Sequence, residues 1–320
     1  MPSRRTGAGD APFFIGTGAF ALVLVLLVAA IAGVLWYESR ESIAAFGWRF
    51  WQTSTWDPVA GDFGAAPFIW GTLYSSILAL AIATPIALGI AIFIAELCPA
   101  RVRAPLVFLT ELLASIPSIV YGLWGIFVLV PAVRALQTGL PPWIRALPLF
   151  SGPAVGVSLF TASLILAIMV IPFTSSIARE VLKVVPSAQR EAAYALGATR
   201  WEATKVALYY ARTGIVGAIM LGFGRALGET MAVTMVIGNT PRASWSIFAP
   251  QYSMAAVIAN EFAEAAEDLH LSALTEVGLV LFAITLAINV ASRLLIWSMT
   301  RSRRPRKQAV VATVAGLAQS

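Results

Sequence analysis

The hydrophobic positions of this chain run in long unbroken stretches rather than in alternation. No Asp, Glu, Lys or Arg occurs between Asp10 and Glu38, between Asp62 and Glu96, or between Arg145 and Arg179. Each window exceeds the ~20 apolar residues that a helix needs to cross a bilayer. A segment surrounded by lipid must satisfy its own backbone N–H and C=O groups, so these windows are helices rather than open strands. Further apolar stretches bring the count to six spans, at about 13–37, 67–95, 104–133, 154–178, 213–237 and 274–299, the third and fifth interrupted by charges. The expected fold class is all-α, a polytopic membrane protein with six transmembrane helices. One membrane domain over 13–300 lies between a short N-terminal segment, 1–12, and a basic tail, 301–320, with no internal repeat.

The connections between the spans alternate in charge. Arg4 and Arg5 precede the first span, Glu38, Glu41, Asp57 and Asp62 dominate the first loop, and Arg101 and Arg103 follow the second span. The loop 179–212 carries six bases against Glu180, Glu191 and Glu202, and the next carries Glu261, Glu264, Glu267 and Asp268 against Arg242. Positive loops stay in the cytoplasm. Both termini and the loops after the second and fourth spans are therefore expected inside, with Arg134 and Arg145 of the third loop running against the pattern. Trp36, Trp48, Trp51, Trp70 and Trp143 fall near the predicted outer boundaries, where an aromatic belt anchors in the interface. The run from Phe13 to Tyr37 is too long for a typical signal-peptide core and is read as a retained span.

Composition agrees with this class. The 320 residues are 59% hydrophobic and 12% charged, with a mean hydropathy of +0.82, whereas soluble domains carry about 25% charged residues. The net charge of +6 belongs to cations clustered beside spans, which reads as topology rather than nucleic-acid binding. One cysteine, Cys98, and one histidine, His270, exclude an internal disulfide, a thiolate cluster and a His-based triad within the chain. Lys183, Lys205 and Lys307 are the only lysines, and none sits in a Gly-Lys-Ser/Thr phosphate loop. Any ATP must be hydrolysed elsewhere.

The segment from Pro186 to Leu208 is the most informative polar stretch. Ser187 is expected to N-cap a short helix through Leu196, and Gly197 to stop it in a left-handed conformation. Thr199 with Glu202 three residues later forms a capping box for a second helix that runs into the fifth span. Ala188, Ala192 and Ala193 give the first helix a small-residue face that another protein could approach closely; an ordinary inter-helix loop is the plainer alternative. Glu191, Ala192, Ala193 and Gly197 resemble the E-A-A-x-x-x-G signature of ABC importer permeases. The resemblance implies a cytoplasmic coupling helix that docks on an ATPase subunit, in a type I ABC importer transmembrane domain. Where that family pattern continues with I-x-L-P, this chain has Ala207-Leu208-Tyr209-Tyr210 and no proline.

Two charged stretches lie inside spans. Arg225 and Glu229, within G-R-A-L-G-E-T-M-A-V-T, stand at i, i+4 and are expected to pair on one helix face. Each central charge costs roughly 2.5–3.5 kcal/mol to insert, so intramembrane ions are functional candidates, with a structural ion pair as the alternative. A guanidinium offers bidentate donors to a tetrahedral oxyanion, and Thr230 adds a hydroxyl. In the third span, Glu111 could pair with Arg225 or lie near the interface. Pro117 is expected to kink that helix, with Ser115, Ser118 and Tyr121 lining a polar path.

R-A-L-G-E-T-M-A-V-T followed by Ile237-Gly238-Asn239, E-L-L-A-S-I-P-S-I-V-Y-G-L-W-G in the third span and G-T-L-Y-S-S at Gly71 to Ser76 resemble the C-type permeases of phosphate-specific ABC systems. This resemblance covers about residues 15–300. It implies a non-enzymatic transport subunit of the cell inner membrane that carries inorganic phosphate inward by alternating access past Arg225 and Glu229. It further implies a heterodimer with an A-type permease, two ATPase subunits holding the ATP and Mg, and a periplasmic phosphate-binding protein, with no cofactor in this chain. A permease for another oxyanion such as molybdate or sulfate, and an ATP-independent channel or secondary carrier, are the alternatives.

Overall fold

A computed structural model describes residues 10–301, so most of the short N-terminal segment and of the basic tail lies outside the described residues. In chain order the elements are α1 (Asp10–Glu38), α2 (Arg40–Phe46), a 3-10 turn (Gly47–Trp51), β1 (Trp56–Asp57), β2 (Asp62–Phe63), α3 (Ala66–Ile92) and a π-helical turn (Phe93–Leu97). Then come α4 (Ala100–Ser115), α5 (Ser118–Trp124), a second π turn (Gly125–Leu129), α6 (Val130–Gly139) and α7 (Pro142–Arg145). The chain ends with α8 (Leu159–Lys183), α9 (Ser187–Ala195), α10 (Arg200–Leu227), α11 (Met231–Thr234), α12 (Met254–Glu261) and α13 (Asp268–Arg301). The two strands form a small antiparallel hairpin with Trp56 opposite Phe63.

Among the described residues, six helical runs are long and apolar enough to cross a membrane: Pro12–Glu38, Ala66–Leu97, Ser118–Gly139, Leu159–Lys183, Arg200–Leu227 and Asp268–Met299. The third and fifth differ most from expectation. Instead of one kinked span over 104–133, the helix breaks at Ile116, whose ψ of 129° is extended. Pro117 has no N–H to continue the ladder and disfavours helical backbone in the residue before it. A straight helix over 100–139 would measure about 60 Å, twice the hydrocarbon thickness. The break lets α4 and the α5–α6 run take separate directions. The fifth helix begins at Arg200 behind its Thr199 cap, as the capping box requires, but ends at Leu227 rather than continuing to 237.

α8 is the central helix, buried against α3 on one side and α10 on another. Ala79, Ala83, Ala87 and Ala91 recur every four residues along α3 and are fully buried, a small-residue stripe that brings two helix backbones close. On α10, a Cβ added at Gly222 would overlap the Thr174 hydroxyl of α8, so glycine sets the spacing of that pair. α1 flanks α13 and leaves Phe20, Leu24 and Leu27 largely exposed, as a lipid-facing helix does. At the end of the molecule opposite α9, Phe50, Phe63, Phe68 and Tyr252 pack with Leu274 and Val277 into an aromatic plug beneath the hairpin.

Candidate functional site

The two interrupted spans come together. α5 packs against α11, and a Cβ added at Gly122 would lie 2.5 Å from Met235 Sδ and 3.2 Å from Ala232 Cα. Arg225 occupies the last turn of α10 and is exposed. Gly228 caps that helix, donating to Gly224 O at 3.3 Å. Glu229 and Thr230 therefore sit in the non-helical link to α11, and the helical i, i+4 relationship between Arg225 and Glu229 does not exist. No ion pair joins them among the described residues. Glu229 Oε1 instead accepts from the Ala232 N–H at 3.4 Å. The Arg225 guanidinium lies 5.5 Å from the Phe173 ring centroid on α8, a cation–π arrangement that leaves its N–H donors available.

Ser115 ends α4 and Ser118 begins α5, so both flank the break at Pro117. Ser115 spends its hydroxyl on Leu112 O at 2.7 Å. The missing N–H of Pro117 would have bonded Leu113 O, four residues back. Tyr121 replaces it, its hydroxyl donating to Leu113 O at 2.9 Å. The break is thus a satisfied structure, with Leu113 O accepting a long bond from the Ile116 N–H at 3.4 Å and a shorter one from a side chain. Glu111 pairs with Arg179 rather than Arg225: Arg179 Nη2 on α8 reaches its Oε1 at 3.0 Å.

The elbow takes the form its sequence encodes. α9 ends at a Schellman motif in which Gly197 (φ +84°) donates to Tyr194 O and Ala198 donates to Ala193 O, the pairing that satisfies the last carbonyls of a helix. The Thr199 hydroxyl and Glu202 carboxylate form a complete capping box at the start of α10. One detail differs at the other end: Pro186 holds the N-cap position and Ser187 is the first helical residue, with no side-chain cap. Proline there fixes the entry backbone without losing a ladder bond. Ala193 turns inward, whereas Ala188, Glu191 and Ala192 face outward and Leu196 is 89% exposed.

Sequence reasoning missed Arg190 and Arg179, because charges beside spans read as topology signals. Arg190 forms a bidentate pair with Glu96, Nη2–Oε1 2.6 Å and Nε–Oε2 3.0 Å, and also donates to Val185 O and Leu182 O. The acidic loop 261–268, which the sequence marks only by its charge, also contributes an inward-facing carboxylate. Glu261 turns inward to accept from Trp56 Nε1 at 2.8 Å and Tyr252 Oη at 3.3 Å, and it lies 3.3 Å from His270 Nε2. Burial pushes the Tyr252 hydroxyl up to about 12, so it remains a donor to that carboxylate.

Comparison with known proteins places this geometry. The family described as the binding-protein-dependent transport system inner membrane component matches residues 87–302. The phosphate transport system permease protein PstC of Mesorhizobium japonicum is 46% identical over 91% of this chain and 90% of its own length. The protein of the same name from Pasteurella multocida is 50% identical over 87% and 88%. A probable phosphate transport system permease protein PstC of Methanocaldococcus jannaschii is 38% identical over 84% and 87%. Among solved structures, an inward-facing form of the MetNI methionine ABC transporter superposes with a TM-score of 0.54 at 16% identity, covering 72% of this chain and 93% of that one; it establishes the ABC importer permease fold. This non-enzymatic, multi-pass chain belongs to the family of binding-protein-dependent transport system inner membrane components.

Proposed function

We propose that this chain is the membrane-spanning permease subunit of an ATP-binding-cassette importer that moves inorganic phosphate into the cytoplasm by alternating access. Relatives named as phosphate permeases, matching over most of both lengths, support the substrate class. The observation that carries the pathway is the broken fifth span, which leaves Arg225 exposed, unpaired with Glu229 and stacked over Phe173. A guanidinium in that setting can present two parallel N–H donors to a phosphate oxygen pair. Glu229 and Thr230, in the non-helical link, supply an acceptor and a hydroxyl. An acceptor suits a protonated oxygen, which hydrogen phosphate has and sulfate lacks. Ser115 and Ser118 lie on the facing break of the third span and are assigned to the same pathway.

In this reading the outward face of α9, with Glu191, Ala192 and the Gly197 elbow, meets an ATPase subunit, while Ala193 packs inward. An A-type permease completes a heterodimer, two ATPase subunits hold ATP and Mg, and a periplasmic phosphate-binding protein delivers the anion. Both termini and α9 face the cytoplasm, which the basic loops favour.

The test is labelled-phosphate uptake by the reconstituted complex with sulfate and molybdate as competitors. ATP-dependent uptake that resists both competitors and an uncoupler, and is blocked by vanadate, is expected. Competition by sulfate or molybdate would reassign the substrate. Uptake without ATP would replace the importer reading by a channel or carrier.

A further inference from the structure

The Arg190 guanidinium joins three elements at the elbow end of the molecule. It projects from α9, it caps the end of α8 through Leu182 O at 3.1 Å and Val185 O at 2.9 Å, and it grips Glu96 with both faces of its fork. Glu96 is 10% exposed on its side chain, so water competes little for the pair, and bidentate geometry fixes its orientation. Glu96 itself lies in the π-helical turn that ends the α3 run, closed by a Cys98 N–H to Phe93 O bond of 2.7 Å. π turns carry one residue more than the helix around them and are enriched at functional positions. Above that turn, α3 crosses the whole thickness of the protein against α8 and reaches the opposite end, where Gly71 touches the Tyr252 backbone.

We infer that Arg190 and Glu96 are positioning residues which transmit displacement of α9 to α3, so that the pair couples the elbow to the helix packed along the central α8. The inference rests on the reading of α9 as the ATPase contact. Only three residues, Val184 to Pro186, separate α8 from α9, and Arg190 bonds two carbonyls at that junction. The elbow and the end of α8 therefore move as one piece. The bonds to Leu182 O and Val185 O hold α9 to α8 alone; the two bonds to Glu96 extend the connection to α3. Removing the Glu96 charge thus severs transmission while leaving the elbow capped.

The experiment compares native complex with Glu96→Gln, Glu96→Asp and Arg190→Gln, each assembled with both permeases, the ATPase subunits and the binding protein in proteoliposomes. Three quantities are read: ATPase subunit retained on purification, ATP hydrolysed, and phosphate taken up per ATP. Glu96→Gln is expected to retain the ATPase and hydrolyse ATP while uptake per ATP falls about tenfold, the scale of a lost coupling interaction. Glu96→Asp, which keeps the charge, should hold most of the native ratio, and Arg190→Gln should match Glu96→Gln or be worse. A native ratio in Glu96→Gln overturns the inference, as does a loss of uptake that merely tracks loss of bound ATPase, which would make the pair a structural staple. Absence of ATP-dependent uptake by the native complex would overturn the permease reading itself, a distinct result.

Discussion

Arg179 of α8 holds Glu111 of α4 at 3.0 Å and Glu180 at 2.8 Å, from a side chain that is only 4% exposed. The pair fastens α4, which buries no residue of its own, to the central helix. A buried cation must be answered by an anion or it destabilises the fold. Two carboxylates answer this one, and Arg179 Nη1 has no hydrogen-bond partner among the described residues.

The two ends of this pair should respond unequally to substitution. Arg179→Ala removes a buried side chain with its packing and leaves two half-exposed carboxylates, of which Glu180 keeps Lys183 at 3.0 Å, at a cost of about 2 kcal/mol. Glu111→Gln removes a half-exposed charge while Glu180 still neutralises Arg179, at a cost of about 1 kcal/mol. Thermal unfolding of the two variants in detergent should therefore show a clearly larger drop for Arg179→Ala.

Arg225→Ala should lower uptake steeply without affecting assembly. Hydrogen bonds to a charged group are worth about 1.5–3 kcal/mol, so transport should fall about 10- to 100-fold. Arg225→Lys should keep a fraction of activity, because an ammonium carries the charge without the bidentate fork. Uptake assays on complexes matched for bound ATPase check both.

Tyr121→Phe leaves Leu113 O with only the long bond from the Ile116 N–H at 3.4 Å, which should cost about 1 kcal/mol. Pro117→Ala supplies a donor from the backbone and should make Tyr121→Phe nearly neutral in the double variant. It should also lower uptake, since a healed helix straightens the break beside Arg225. A double-mutant cycle on unfolding midpoints measures the first effect.

Gly197→Ala places a side chain at φ +84° with no atom nearby to clash. Its cost is therefore conformational, about 1–2 kcal/mol, and Gly197→Asn should cost less, since Asn visits the left-handed region more readily. Protease sensitivity at the elbow and ATPase retention should follow the order Gly, Asn, Ala.

Apart from the N-cap, which falls on Pro186 rather than Ser187, the elbow was legible from the sequence, because its determinants are local. A left-handed stop needs glycine, and a capping box needs Thr199 and Glu202 three apart; neither depends on distant chain. The helical class was equally legible, since a run without a charge can cross lipid only as a helix. The third and fifth spans were less so. Pro117 marked a kink, but whether a proline kinks or ends a helix depends on what bonds the carbonyl four residues before it. That donor, Tyr121, was visible as a residue and invisible as a partner.

The sequence by itself determined the helical membrane class, the chemistry available to the pathway and the form of the elbow, through hydropathy, composition and contacts within four residues. The tertiary structure alone decided which charges meet. Arg225 and Glu229 share helical spacing yet separate because the helix ends between them. Arg179 with Glu111 and Arg190 with Glu96 lie 68 and 94 positions apart and pair because α4 packs against α8 and because Arg190 reaches from α9 to the π turn that follows α3. Charge pairing depends on distance in space, and one-dimensional spacing reports that distance only while a helix remains unbroken.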